Sequence, residues 1–409
     1  MKKIYLLVMM CFASFSGLIA QEQLNGYNIA HVFHPFPNHK INAEAMALFD
    51  QLAPDILRFP GGTIANKYHY SKPGYGFSSA DLKRSENYIV DFVKLVKGLK
   101  TQPKVIYVYN MFDHFKGANE AELIKENFDA LQYLINNGIN VVAVELGNEF
   151  YLYNEIIGTP GQTTFNPEDN NKEEIETGGN QQKPNTAAPK NENILIRWLR
   201  MLTGYKGGSN NNTSSNESGV TDNDRLTKYA RLAKIYHDKT KKIDPKIKTG
   251  IPLGNFKNNK HTEYNEFILS PAFNFVNAYV VHFYGAFDKD CKEGDLNCVR
   301  AGLDWTIKAT IEPRLQFLKE KTNKEIWVTE WNAIKFGHYG DESSWARNTS
   351  VHVEYTKKMI DLFKQYGVTI STFHKLVGPT EDAAYNAIDV TSSGKCITTP
   401  IFDILKKHF

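Results

Sequence analysis

Eight short apolar runs of strand length alternate with amphipathic stretches along the chain, at 27–33, 55–59, 104–109, 140–146, 247–252, 276–283, 325–330 and 368–373. They are rich in β-branched and aromatic residues and apolar on both faces, as expected of strands covered on both sides in a parallel sheet. The stretches after them, at 43–52, 80–99, 121–136, 224–242, 262–269, 299–321, 345–366 and 401–407, carry apolar residues at helical spacing. Asn137-Gly138 supplies a left-handed stop before the fourth run. Eight alternations predict an α/β fold, a closed (β/α)8 TIM barrel. An open doubly wound sheet would be the other arrangement, but the glycine-rich phosphate turn that would favour it is missing, since no G-x-G-x-x-G occurs.

At 409 residues, 42% hydrophobic and 23% charged, the chain suits one large barrel and excludes wholesale disorder. The formal net charge of +3 falls to +1 without Lys2 and Lys3. A near-neutral chain gathers neither nucleic acid nor an anionic membrane by its overall field, so neither is expected as a partner. Lys2 and Lys3, the apolar segment 4–12 and the small residue Ala20 predict a signal peptide over 1–20, with the barrel over 21–409. The expected destination is outside the cell or the periplasm, and an uncleaved segment would instead attach the chain to a surface. No later stretch is long and apolar enough to span a membrane. A monomer is expected.

Residues 152–221 interrupt the alternation after the fourth strand with polar Asn/Gly/Ser-rich sequence, and 194–202 inside them has the pattern of a short helix. This insertion either shapes a cleft or decorates its edge, because barrel sites lie at the carboxyl ends of the strands. Cys291 and Cys298, seven apart, are a candidate small-loop disulfide, which leaves Cys396 unpaired once Cys11 departs with the signal peptide. No tight ligand motif such as H-E-x-x-H is present, so neither a metal nor another cofactor is expected.

The sharpest chemical signal is Val144-Glu145-Leu146-Gly147-Asn148-Glu149, ending strand four, with Thr329-Glu330-Trp331 ending strand seven. Each puts a glutamate where a barrel presents catalytic groups. Cleavage of a glycosidic bond needs one carboxyl that donates a proton to the leaving oxygen and another that attacks the anomeric carbon. Carboxylates from opposite sides of a barrel mouth can meet that need.

With G-N-E and T-E-W on strands four and seven, the chain resembles the clan A retaining glycoside hydrolases. Leu57-Arg58-Phe59-Pro60-Gly61-Gly62 is similar to the arabinofuranosidase and heparanase-like branches. Those relatives usually carry a β-sandwich beside the barrel, and this chain has no room for a complete one. The resemblance implies a secreted enzyme acting on a poly- or oligosaccharide through a glycosyl-enzyme. It implies Glu149 as acid/base, Glu330 as nucleophile, Asn148 as a ligand of the sugar 2-hydroxyl, and Arg58 and Tyr284 as partners of the nucleophile. His282 lies on the Tyr284 face of strand six, placed either to contact sugar or to orient Glu330. Glu145 is expected to be a buried partner of an arginine, with Arg58 the leading choice. Trp331 is expected either as a stacking wall or as core.

Near other strand ends lie His34, Asn66, Lys67, His69, Asn110, Asp113, His114, Lys335, His374 and Lys375, with Asn110 and His374 taken as substrate contacts. Their cationic excess points to a uronic or sulfated sugar, and a neutral sugar with random loop charge is the other reading. Two further functions stand against the hydrolase: a non-catalytic carbohydrate-binding barrel, and a polysaccharide lyase using Arg58, His282 and Tyr284 on a uronate.

Overall fold

The computed structural model describes residues 23–71, 88–152, 222–254, 259–287, 291–333, 346, 349–380 and 386–408. The segment assigned as signal peptide, the bulk of the insertion and Lys335 lie outside these residues. Eight parallel strands close into a barrel in chain order. They are β1 (Leu24–Asn28), β2 (Ile56–Phe59), β3 (Lys104–Val108), β4 (Val141–Glu145), β5 (Lys248–Pro252), β6 (Ala278–Gly285), β7 (Glu325–Ala333) and β8 (Ile370–Phe373). β1 pairs with both β2 and β8, which removes every sheet edge.

Around them run α1 (Ala43–Leu52), α2 (Tyr88–Gly98), α3 (Glu120–Asn136), α4 (Asp222–Ile243), α5 (Asn259–Ile268), α6 (Leu296–Thr306), α7 (Glu312–Lys321), α8 (Ser350–Tyr366) and α9 (Pro400–His408). Asn42, Asn119 and Thr349 cap α1, α3 and α8 by accepting backbone N–H bonds, which satisfies donors that a helix start leaves open. The single helix expected over 299–321 is α6 and α7 joined by a π-helical segment, Ile307–Ile311. Pro313, near the start of α7, cannot donate to the preceding turn, and the wider π turn sits directly before it. β1 begins three residues before its expected start and ends five residues early.

After β8 come three short strands that the apolar pattern does not reveal. β9 (Val377–Pro379) pairs with β10 (Ile388–Val390), and β10 pairs with β11 (Cys396–Thr398). This small sheet is tied to the start of α1: Cys396 N donates to Glu44, and Asn42 donates to the Gly394 carbonyl. Cys291 and Cys298 form the expected disulfide, and Cys396 is a buried free thiol. Among the described residues no helix is long and apolar enough to cross a membrane.

Two cores follow from strand alternation. Ile56, Ile106, Ala143, Ala278, Val280, Trp327 and Ile370 fill the barrel interior, while a much larger cluster packs between barrel and helices. Two residues beyond the interior plug on their own strands come Arg58, Glu145 and His282. The period of two that buries the plug therefore stacks a polar layer on top of it, toward the carboxyl ends.

Candidate active site

Arg58 is the hub of that polar layer. It is fully buried, and its Nε and Nη2 donate to the two oxygens of Glu145 at 2.9 and 2.6 Å. Its Nη1 donates to Glu330 Oε1 at 2.6 Å, and Nη2 also reaches Asn148 Oδ1 at 2.8 Å. Burial works against the guanidinium charge, but Glu145 and Glu330 more than restore it and hold its pKa above the ordinary value. Glu145 is thus the buried arginine partner anticipated from its place on the strand.

Glu330 reaches this layer through a break in strand pairing. Val281 pairs with Val328, yet the next residue, His282, pairs with Glu330, so Thr329 is an extra residue in β7. Trp327 points into the barrel and Val328 into the outer core. Unbroken alternation would turn Thr329 inward and Glu330 outward. The bulge lets both face the interior, with Thr329 Oγ1 3.2 Å from His282 Nε2. The next residue must then face outward. Trp331 is fully buried against Phe363 and Phe373, so it is core, and the stacking-wall expectation is corrected.

Glu330 is nearly enclosed, with a side chain 5% exposed. Its Oε2 accepts from the Tyr284 hydroxyl at 2.5 Å. Burial alone would raise its pKa. His282 and Arg58, together with the Tyr284 hydrogen bond, outweigh burial and hold the carboxyl far below its usual range.

Glu149 is held differently. β4 ends at Glu145, and the chain turns sharply through Gly147 at φ 99° and Glu149 at φ 48°. A side chain on Gly147 would begin 1.8 Å from the Phe150 ring, so only glycine fits. The left-handed backbone of Glu149 costs about 1 kcal/mol or more, which the surrounding packing must offset. Its carboxyl is 18% exposed. Oε1 lies 2.8 Å from His282 Nδ1 and accepts from the Tyr151 hydroxyl at 3.1 Å. That same His282 nitrogen is 3.7 Å from Glu330 Oε2. Burial opposes a charge on His282, but Glu330 and Glu149 outweigh it and raise its pKa.

One carboxylate oxygen from each glutamate and one nitrogen of His282 lie within 4.8 Å of one another, a grouping that by atom type could hold a cation. Here His282 lies between the two carboxyl groups, and Glu330 is also bonded to Arg58 and Tyr284. Asn148 is 1% exposed, and with Oδ1 fixed by Arg58 its Nδ2 has no protein partner among the described residues. His374 flanks Glu330: its Cε1 and Glu330 Oε1 are each 3.8 Å from the point where a Gly62 side chain would start. Its ring meets Tyr284 edge-on at 6.1 Å. Burial pushes the His374 pKa down to about 4 against the pull of Glu330, so the imidazole is neutral.

Asn110 departs from its expected place as a substrate contact. Its amide donates to the Tyr68 carbonyl and to Asp113, and its Oδ1 accepts from Asp113 N, so it shapes the turn after β3. The cationic excess read from the sequence also shrinks. His114 is buried with its pKa down to about 4, and the charge on His69 is matched by Asp113 and Glu126. Tyr151 was not anticipated; a tyrosine two residues past Glu149 is uninformative until the turn at Gly147 is known.

A closed eight-stranded parallel barrel with one glutamate just past β4 and another in the carboxyl-terminal half of β7 has the fold of the clan A (β/α)8 glycoside hydrolases. Among solved structures the chain is similar to an α-L-arabinofuranosidase from Thermotoga maritima in complex with arabinose, at 15% identity, TM-score 0.54, over 95% of this chain and 70% of that one. It is similar to a thermostable family 51 α-L-arabinofuranosidase from Thermotoga petrophila, at 14% identity, TM-score 0.55 and the same 95% and 70% coverage. A family 51 enzyme from Bifidobacterium longum matches at 12% identity, TM-score 0.53, over 93% and 71%. At these identities the likeness is one of fold. No protein-family profile matches the chain, and no curated protein does.

Proposed function

We propose that the chain is a retaining glycoside hydrolase that cleaves a poly- or oligosaccharide by double displacement. The observation that carries this reading is the pair of glutamates gathered around His282, with oxygens within 4.8 Å of one another. Inverting enzymes hold their carboxyl groups about 6.5–9.5 Å apart to admit a water and retaining ones about 5–5.5 Å, so nearest oxygens this close favour the retaining spacing. In the first step Glu330 attacks the anomeric carbon while Glu149 protonates the departing oxygen. Arg58 and Tyr284 keep Glu330 ionised for that attack. In the second step Glu149 takes a proton from water, which displaces the sugar from Glu330. Asn148 Nδ2 is free to donate to the 2-hydroxyl, a bond that strengthens as positive charge grows on the ring.

The family 51 neighbours act on arabinofuranosides according to their names, so an α-L-arabinofuranoside is the first substrate to try. The lyase reading has less support, because Tyr284 and His282 are already committed to Glu330 and Glu149. In this reading residues 1–20 are a signal peptide, and the enzyme acts outside the cell or in the periplasm as a monomer. The test is a panel of aryl glycosides followed by proton NMR of the first-formed product. Release of the sugar with the anomeric configuration of the substrate is expected. An inverted product, or an unsaturated uronate absorbing in the ultraviolet, contradicts the proposal.

A further inference from the structure

Two groups converge on one oxygen of Glu149, and no hydrogen bond to its other oxygen is formed among the described residues. The Tyr151 hydroxyl donates to Oε1 at 3.1 Å, and His282 Nδ1 lies 2.8 Å from the same atom. Tyr151 sits on a 3-10 turn, Phe150–Leu152, directly after the left-handed Glu149. Its ring is 8% exposed and packs against His261 at 5.0 Å and Tyr264 at 6.3 Å, both on α5. The hydroxyl is thereby fixed from two elements, the β4 turn and α5.

We propose that Tyr151 is a positioning residue for the acid/base: with His282 it saturates Oε1 of Glu149, so the proton delivered to the leaving group is carried on Oε2.

A carboxyl oxygen that accepts two hydrogen bonds is the carbonyl-like one, and the acidic hydrogen belongs on its partner. The Tyr151 hydroxyl is the donor in its bond, and His282 Nδ1 donates whenever it is the protonated nitrogen. Burial, and then the nearby Glu149, push the Tyr151 pKa well above its ordinary value, so the phenol keeps its hydrogen. At His282 the charge of Glu330 is the largest pull against burial and the pKa is raised, so Nδ1 carries the hydrogen in the proposed arrangement. In the glycosylation step the Oε2–H bond breaks and that proton bonds to the glycosidic oxygen. The electron pair of the breaking C1–O bond stays on that oxygen, while a carboxylate pair of Glu330 forms the new bond to C1. Tyr151 stays protonated throughout, and its bond to Oε1 tightens as Glu149 becomes anionic. It therefore stabilises the charge that protonation of the leaving group leaves behind.

The proposal rests on the glycosidase reading for its kinetics but not for its geometry, and two measurements separate them. A neutron structure of the perdeuterated full chain needs no substrate. A deuteron on Glu149 Oε2, with those of Tyr151 and His282 Nδ1 pointing at Oε1, is expected. A deuteron on Oε1, or a Tyr151 hydroxyl turned elsewhere, overturns the proposal. The second measurement compares Tyr151→Phe with wild type on alkyl and dinitrophenyl glycosides, the ring being kept to preserve packing. A loss of about tenfold in kcat/KM with the alkyl glycoside, and less than about twofold with the dinitrophenyl one, is expected, since an acidic leaving group needs little proton help. Equal loss on both overturns the role of Tyr151. Absence of turnover by wild type on every glycoside would count against the glycosidase reading, while the neutron map would still decide the geometry.

Discussion

Glu330 and Glu149 face one cleft from opposite walls, but one is locked and the other is suspended. Glu330 stands within a nine-residue strand, with both oxygens bonded and its side chain 5% exposed. Glu149 stands four residues past the end of its strand, on a left-handed backbone, with its side chain 18% exposed. The contrast matches two tasks. An attacking carboxylate must hold its charge and its aim through one bond-forming event. A carboxyl that gives up a proton and later takes one from water must remain open to both the leaving group and the solvent. The wall with the regular strand supplies fixity, and the wall where the strand has ended supplies access.

The largest effect should come from the locked side. Glu330→Ala should lower kcat/KM by about 10⁵-fold, the scale on which a covalent nucleophile is lost. Mass spectrometry with a 2-fluoro glycoside should find no glycosyl adduct on the variant. An adduct of unchanged mass would move the nucleophile elsewhere.

The suspended side should be more forgiving. Glu149→Ala should cost about 10²–10⁴-fold on natural substrates, but little on glycosides with an acidic leaving group, and azide should restore turnover. Equal losses on both substrate types, without azide rescue, would erase the functional distinction between the two walls.

Arg58 measures the lock itself. Arg58→Met leaves the buried carboxylates of Glu145 and Glu330 facing each other without a cation, which should destabilise the fold by about 3–5 kcal/mol in urea unfolding. Adding Glu145→Gln should recover part of that loss, because one stranded charge is removed. If the single variant unfolds like wild type, the guanidinium is not what holds Glu330.

The same contrast divides what the residues reveal before folding from what they conceal. β4 is regular over its last three residues, so the step of two from Ala143 to Glu145 reads directly, and Arg58, the arginine suggested for Glu145, is its partner in the fold. Glu330 was found by its motif, but its inward direction depends on the bulge at Thr329, and a single unpaired residue leaves no mark in an apolar pattern. The Trp331 stacking wall failed for that reason. Asn110 failed because an asparagine at a strand end serves a turn as readily as a ligand. The contact between His282 and Glu149 joins strands six and four across the barrel mouth, a distance that one strand's alternation cannot encode. The strands β9 to β11 have three residues each, too few for any period to emerge.

The smallest effect concerns the wall beside the lock, where the β2 and β3 loops are clamped together. His69 Nε2 is 2.8 Å from Asp113, and its Nδ1 is 2.8 Å from Glu126, which also accepts from the Ser71 N–H and hydroxyl. This loop includes Gly62, which borders Glu330. The hydrogen bonds to Asp113 and then Glu126 outweigh the opposing effect of burial and raise the His69 pKa from 6.5 to about 9. A raised histidine contributes stability that is complete below its unfolded value near 6.5 and disappears as pH rises through about 9. Burial would raise Glu126, yet His69 and Ser71 lower it to about 2, so its share is present above 4.5 and is lost as pH falls through about 2. The clamp should therefore be complete at pH 5–6.5, between those limits. With His69 at 16% exposed and its partners at 21% and 15%, solvent screening should hold its worth to about 1 kcal/mol. His69→Gln should lower Tm by a few degrees at about pH 6, and the difference from wild type should close by about pH 10. Arg58 stays charged across that range, so Glu330 should keep its lock while the wall beside it loosens. A Tm difference that stays constant from about pH 6 to pH 10 would mean that shape, not the proton on His69, joins the two loops.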